Sequence, residues 1–393
     1  MIVLCEQKVH ENPALIADAW ANPQTFALLP GKLSVSDEWL AQSLDCVPQD
    51  LHRDHFVMLT SGTTGQPKLI LGNRQRSEKL VRLLHDRQES GPVRETISML
   101  PLSYTYSFVN QWLWSHVMRR RFVTTHGLAE PTALKATLEQ ARDAMICLVG
   151  VQVPLLMNLL AGGTFPGVIR VHFAGGRFPQ ERLDPLRGMF PHAQVFNNYG
   201  CAEAMPRLTI RRAEESSEAA NIGRPLSGIE MRSGEGHEVM FRSPYGAVGV
   251  VEDMKFKAIT PADWIPTGDL GEMNEDGSWR LIGRSGEVFK RHGEKVSLAA
   301  LTTTVTPVWD GQCAFYRESD PAGEDGCVLV LAPDATAETV KPVLMALRKH
   351  HPRAQWPLRI ESAAALCLLA NGKTDVRALP FLPNKKVLWQ QHI

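Results

Sequence analysis

The sequence predicts an α/β protein: a large N-terminal domain with mixed, largely parallel sheets and helices, then a small α+β C-terminal domain. Three observations predict it. At 393 residues the chain is long enough for two or three domains and a sizeable core. From residue 55 to about residue 200, short apolar runs alternate with helix-period segments, as in a doubly wound sheet. After about residue 220 the segments shorten and are separated by Gly, Pro and Asp-Gly turns, which suits antiparallel strands.

Taken in order, residues 1–54 show weak periodicity and no chemical motif. HFVMLT (55–60), TISML (96–100), MICLVGV (145–151), VIRVHFA (168–174) and AQVFNN (193–198) read as strands. Between them, 73–88 and 133–144 carry apolar positions at helical spacing. HEVMFR, GAVGVVED and SWRLIG then read as short antiparallel strands. Beyond GRSGE (283–287), strands are expected near 313–317, 327–332 and 358–364, with helices near 297–305 and 336–350. A boundary at Ser285–Gly286 divides the chain into 1–284 and 285–393. Glycine there suits a hinge, and it suits an ordinary turn inside one domain equally well.

Composition narrows the function classes. Lys plus Arg and Asp plus Glu are 42 each, so no global field draws the chain to nucleic acid or acidic lipid. The 7 cysteines are scattered and never form CxxC, which argues against a disulfide framework or a zinc site and for a reducing compartment. The opening MIVLCEQKVHENP reaches a charged residue too early for a signal-peptide core, and no apolar run reaches membrane-spanning length. The expected location is the cytoplasm.

The sharpest local signal is TSGTTGQPK, directly after the first clear strand. Gly62 and Gly65 free the backbone to turn its N–H groups toward an anion. Thr60, Ser61, Thr63 and Thr64 add hydroxyls, and Lys68 adds charge. Only two residues separate the glycines, so this is not the GxxxxGK[ST] loop of P-loop NTPases. A Ser/Thr/Gly-rich run of this kind also serves as a plain surface turn.

TSGTTGQPK resembles the signature loop of the acyl-adenylate-forming family, which includes acyl-CoA synthetases, nonribosomal peptide adenylation domains and luciferases. Four further segments stand in that family's order. In FAGG, the resemblance implies that Ala174, Gly175 and Gly176 line an adenine pocket. NNYGCAE is similar to NxYGxTE, and implies Tyr199 against adenine, Asn198 and Gly200 beside it, and Glu203 on Mg²⁺. A hard cation bridging phosphates prefers carboxylate oxygen. PTGDLG implies Asp269 on both ribose hydroxyls. GRSGEVFKRHG is similar to GRxDxxxKxxG, and implies Arg284 near the ribose and Lys290 in the segment joining the two domains. NGKTDVRAL implies Lys373 as the catalytic lysine between the substrate carboxylate and the α-phosphate, with Thr63, Lys68 and Glu203 completing the catalytic set.

The departures are specific. Ala202 replaces the motif's threonine, Gly286 replaces the usual acidic or lysine hinge residue, and Ala300 and Thr302 replace later acidic positions. Only 59 residues precede Thr60, where family members carry more. Either the first subdomain is pared down, or a partner or second copy of the chain covers the exposed surface, which leaves room for a homo-oligomer.

The segment Leu100–Trp114 stands where the family's acid pocket begins. Tyr104 and Tyr106, with Gly150, Val151, Ala174 and Met205, are the expected pocket residues, and Tyr104 and Trp114 could equally be core aromatics. Amino-acid-activating members place an aspartate in this stretch and none is present, so an aryl or aliphatic acid is favoured. The resemblance thus implies an AMP-forming acid–thiol ligase using ATP and Mg²⁺, with coenzyme A or a phosphopantetheine carrier protein as acceptor and a mobile second domain. The competing expectations are amino-acid activation, or a non-catalytic nucleotide-binding member of the family.

Overall fold

The computed structural model describes residues 1–31, 35–61, 67–176, 178–369 and 374–391, with the backbone alone at Ser61 and Val151. Among these residues the strands form four sheets. A six-stranded sheet runs Ile2–Cys5, Phe26–Leu29, His55–Ser61, Pro67–Asn73, Gly249–Glu252 and Lys255–Ala258. Its first three strands are parallel, and the rest antiparallel. An eleven-stranded sheet has a parallel half, Gln194–Tyr199, Val168–Phe173, Ala144–Leu148, Glu95–Ile97 and Arg121–Val123. Its antiparallel half is built from residues 209–284.

The parallel strands follow from their composition. Ala144–Leu148 is buried at every position and Val168–Phe173 at all but one. Strands covered on both faces read as continuous apolar runs. The helix Arg74–Arg87 turns Leu80, Val81 and Leu84 into the core, and Asn73 Oδ1 caps it by accepting from Arg76 N at 3.1 Å. TISML yields a shorter strand than its apolar run, Glu95–Ile97. The antiparallel segments after 220 divide between the sheets: those within 221–242 and 265–284 extend the parallel sheet through the strand Thr209–Arg212, while Gly249–Glu252 and Lys255–Ala258 join the six-stranded sheet.

Among the described residues, 1–54 hold two strands, three α-helices and a 3₁₀ turn that carried no periodic signal. Their elements are short, and Phe26–Leu29 is wholly buried, so alternation has nothing to show. Tertiary contacts hold them. The Arg74 guanidinium donates to Trp20 O at 2.8 Å and Gln24 O at 2.6 Å, and lies 5.5 Å from the Trp20 ring. Gly72 admits the Phe56 ring: a Cβ there would fall 2.2 Å from it.

After Arg284 come the hairpin Val288–Arg291/Glu294–Ser297 and a four-stranded sheet, Gln312–Ser319, Asp325–Ala332, Arg359–Ser362 and Lys386–Gln390. The helices Leu298–Val305 and Val340–His350 pack with this sheet around a core of their own. The chain is therefore a mixed α/β protein with a large sheet-rich part and a smaller C-terminal one. Among the described residues no helix is long and apolar enough to cross a membrane.

Candidate active site

Strand pairing, an ion pair and two hydrogen bonds join several of the expected residues into two arrays. Thr60 ends His55–Ser61 and lies opposite Lys68 on the antiparallel partner strand. Its Oγ1 is buried without a hydrogen-bond partner among the described residues. Lys68 Nζ pairs with Glu203 Oε1 at 2.6 Å, the side chains being 13% and 16% exposed. The turn carrying Glu203 is fastened to that same sheet: Ala247 N donates to Glu203 O at 2.8 Å, and Val248 N to Leu71 O at 2.9 Å.

Asp269 forms a second array. Tyr199 Oη donates to its Oδ2 at 2.8 Å, and Arg284 Nε to its Oδ1 at 2.8 Å. Asp269 and Arg284 are directly opposed in register on adjacent strands, so the fold itself sets this contact. Burial, and then Asp269, push the Tyr199 phenol well above its ordinary range. Burial would lower the Arg284 pKa, but the Asp269 carboxylate outweighs it. The Cys201 thiol is raised by burial, then by Glu203 and Asp269, so the two arrays are close neighbours. Gly200 is sterically required: a Cβ there would come 1.9 Å from Pro206 O.

Gly175 takes a left-handed φ of +75° after the strand Val168–Phe173, and Ala174 N donates to Leu148 O at 3.2 Å. Asn198 Nδ2 donates to His172 Nδ1 at 3.3 Å. Tyr106 donates to His172 O at 3.0 Å and packs with Leu100, Cys147 and Val149, next to Gly150. Tyr104 is partly buried, its phenol pushed up to about 12 by burial and then by Glu6. Met205 is fully buried in the main core beside Tyr199. Lys290 is exposed, opposite Lys295, with no hydrogen bond or ion pair to these arrays among the described residues. Gly62, Thr63, Thr64, Gly65 and Lys373, and the side chains of Ser61 and Val151, lie outside the described residues.

Sequence reasoning missed Glu6, Asn110, His172 and Arg207. Glu6 accepts from Ser103 Oγ at 2.8 Å and so braces the segment before Tyr104. Asn110 lies on the π-helical turn Phe108–Leu113, a geometry frequent at functional sites. The available signal was polar residues inside apolar runs, VIRVHF and AMPRLTI.

Glu203 is a single carboxylate, and among the described residues no group of three His, Cys, Asp or Glu could cage a metal. That fits Mg²⁺, which keeps waters and substrate phosphates and uses one or two carboxylates.

Residues 5–242, more than half of the chain, match the sequence profile described as AMP-binding enzyme. The chain belongs to this family. Among the relatives of this AMP-binding enzyme is tyrocidine synthase 3 of Brevibacillus parabrevis, 25% identical over 351 residues, covering 83% of this chain and 5% of that protein. Another is the 2-hydroxy-7-methoxy-5-methyl-1-naphthoate–CoA ligase of Streptomyces carzinostaticus, 24% identical, covering 82% and 61%. The chain thus spans less than two thirds of the length of the curated relatives it matches first. The fold is shared with an anthranilate CoA ligase solved with anthranoyl-AMP, at a TM-score of 0.74 and 15% identity, covering 96% of this chain and 77% of that one. It is also shared with the O-succinylbenzoate coenzyme A synthetase of Bacillus subtilis solved with AMP, at a TM-score of 0.68 and 16% identity, covering 96% and 82%.

Proposed function

We propose that this chain uses ATP to convert a small carboxylic acid into its acyl-adenylate, releasing pyrophosphate, and then passes the acyl group to a pantetheine thiol of coenzyme A or a carrier protein. The observation that carries the reading is the pair of adjacent arrays, Lys68–Glu203 and Tyr199–Asp269–Arg284. The first offers a cation and a carboxylate beside a Thr60 hydroxyl that has no partner among the described residues, which suits a triphosphate. The second offers a carboxylate for two ribose hydroxyls beside an aromatic ring.

In this reading the substrate carboxylate attacks the α-phosphorus and pyrophosphate leaves. No protein nucleophile is needed; the side chains position the reactants and offset charge, with Lys373 at the reacting oxygens. Mg²⁺ bound with ATP at Glu203 would neutralise phosphate charge. We place the division between an adenylating part, 1–284, and a mobile part, 285–393, at Ser285–Gly286. Gly286 has open space where a Cβ would stand and no left-handed φ, so this conformation does not itself demand glycine. A second conformation would supply the demand.

The test is ¹⁸O transfer. An acid labelled in its carboxylate, incubated with ATP and coenzyme A or a pantetheinylated carrier, should place one ¹⁸O in AMP. Formation of ADP with ¹⁸O in phosphate would refute adenylation.

A further inference from the structure

Next to Tyr106 lies a buried charge that no carboxylate among the described residues balances. Arg207 is 1% exposed, its guanidinium 5.4 Å from the Tyr106 ring centroid. Nη2 donates to Asn110 Oδ1 at 3.0 Å. Nε and Nη1 have no hydrogen-bond partner among the described residues. The groups that raise its pKa are the neutral Tyr106 and Cys147, not a carboxylate; burial lowers it to about 10, which leaves the guanidinium charged at neutral pH.

A second orphan lies in the same buried cluster. His172 is wholly buried, its Nδ1 3.3 Å from Asn198 Nδ2, and its Nε2 lacks a hydrogen-bond partner among the described residues. Burial and then Arg207 keep this imidazole neutral.

An unpaired buried guanidinium is strongly unfavourable, and arginine cannot shed its proton to escape. Such a charge suits a site whose anion arrives with the ligand. Tyr106, over which it lies, belongs to the apolar wall of Leu100, Cys147 and Val149, and among the described residues Arg207 makes no hydrogen bond or ion pair with Lys68, Glu203 or Asp269. The anion it awaits is thus distinct from the triphosphate and from the carboxylate that reacts there.

We propose that Arg207 binds a second carboxylate on the tail of the acid, so that the substrate class is dicarboxylic. The proposal rests on the adenylation reading. It also replaces the plain aryl or aliphatic acid expected from the sequence. A neutral acceptor could satisfy the orphaned donors but would leave the charge unbalanced.

The test is acid-dependent pyrophosphate exchange with matched pairs, glutarate against valerate and terephthalate against benzoate. The wild-type kcat/KM should favour the dicarboxylate of at least one pair by about 10²-fold or more, the scale for a site whose buried polar groups are otherwise left unpaired. Arg207→Met should abolish that preference. Asn110→Asp provides a second variant should Arg207→Met not fold: it supplies the missing anion from within, and should raise Tm while removing the preference. Preference for the monocarboxylates in wild type overturns the proposal and leaves adenylation standing. A dicarboxylate preference that survives both substitutions overturns the assignment to Arg207. Silence with every acid while ATP still binds overturns the adenylation reading and this proposal with it.

Discussion

Asp269→Asn separates a nucleotide contact from a structural one. In the free protein Asp269 accepts from Tyr199 and from Arg284, each at 2.8 Å. Asparagine keeps one acceptor for the buried Tyr199 hydroxyl, so no buried donor need be orphaned there. Arg284 is 49% exposed, so loss of its ion pair costs at most about 1 kcal/mol. The folded protein should therefore lose little stability, and Tm should fall by only a few degrees. The nucleotide-bound state loses more. Two ribose hydroxyls would exchange charge-assisted bonds, each worth about 1.5–3 kcal/mol, for neutral bonds near 1 kcal/mol. The difference, about 1–4 kcal/mol in total, raises KM for ATP by roughly 5- to 10³-fold. Pyrophosphate exchange at varied ATP, with a thermal melt of the same preparation, measures both. An unchanged KM with an unchanged Tm would refute the ribose assignment.

Three further outcomes follow from particular residues. Ala202→Thr restores the hydroxyl that the motif lacks, and one neutral hydrogen bond should raise kcat by about 2- to 12-fold; a steady-state comparison decides. Gly286→Pro should spare pyrophosphate exchange while slowing thioester formation at least tenfold, since the first half-reaction needs no rearrangement in our reading; equal losses in both would place the hinge elsewhere. For His172 the folded pKa lies well below the ordinary 6.5, first through burial and then through the arginines nearby. Below pH 6.5 the unfolded chain takes up a proton that the folded one refuses, so stability falls with falling pH by up to roughly 1.4 kcal/mol per pH unit. His172→Phe should flatten that acid-side slope in Tm between pH 6.5 and 5, and an unaltered slope would contradict a buried neutral imidazole.

The parts of the molecule that were legible in the sequence are those whose chemistry needs contiguous residues. The runs around Thr60, Tyr199, Asp269 and Arg284 are short strings, three of them at strand ends and that of Asp269 in mid-strand, and each carries its donors and acceptors within a few positions. The parallel strands were legible because burial on both faces leaves only apolar residues. Other features are made by packing alone. Pro67–Asn73 opens with proline and lysine and includes a glycine, yet its pairing with His55–Ser61 makes it a strand. The elements before residue 54 are held by Arg74 and an aromatic cluster from distant segments. The cluster around Arg207 draws Tyr106, Asn110, His172 and Asn198 from separate elements, so no window of sequence contains it.

The central claim is that an acid and ATP form an adenylate in this chain, with Lys373 at the reacting oxygens. Acid-dependent exchange of labelled pyrophosphate into ATP tests it most directly, run on wild type and Lys373→Ala. Exchange is expected with a restricted class of acids, reduced about 10²- to 10³-fold in the variant with its melting curve unchanged. Exchange of equal rate in the two proteins would remove Lys373 from the reaction. Its absence from wild type across aryl, short-chain, dicarboxylic and amino acids, with ATP bound, would contradict adenylation itself.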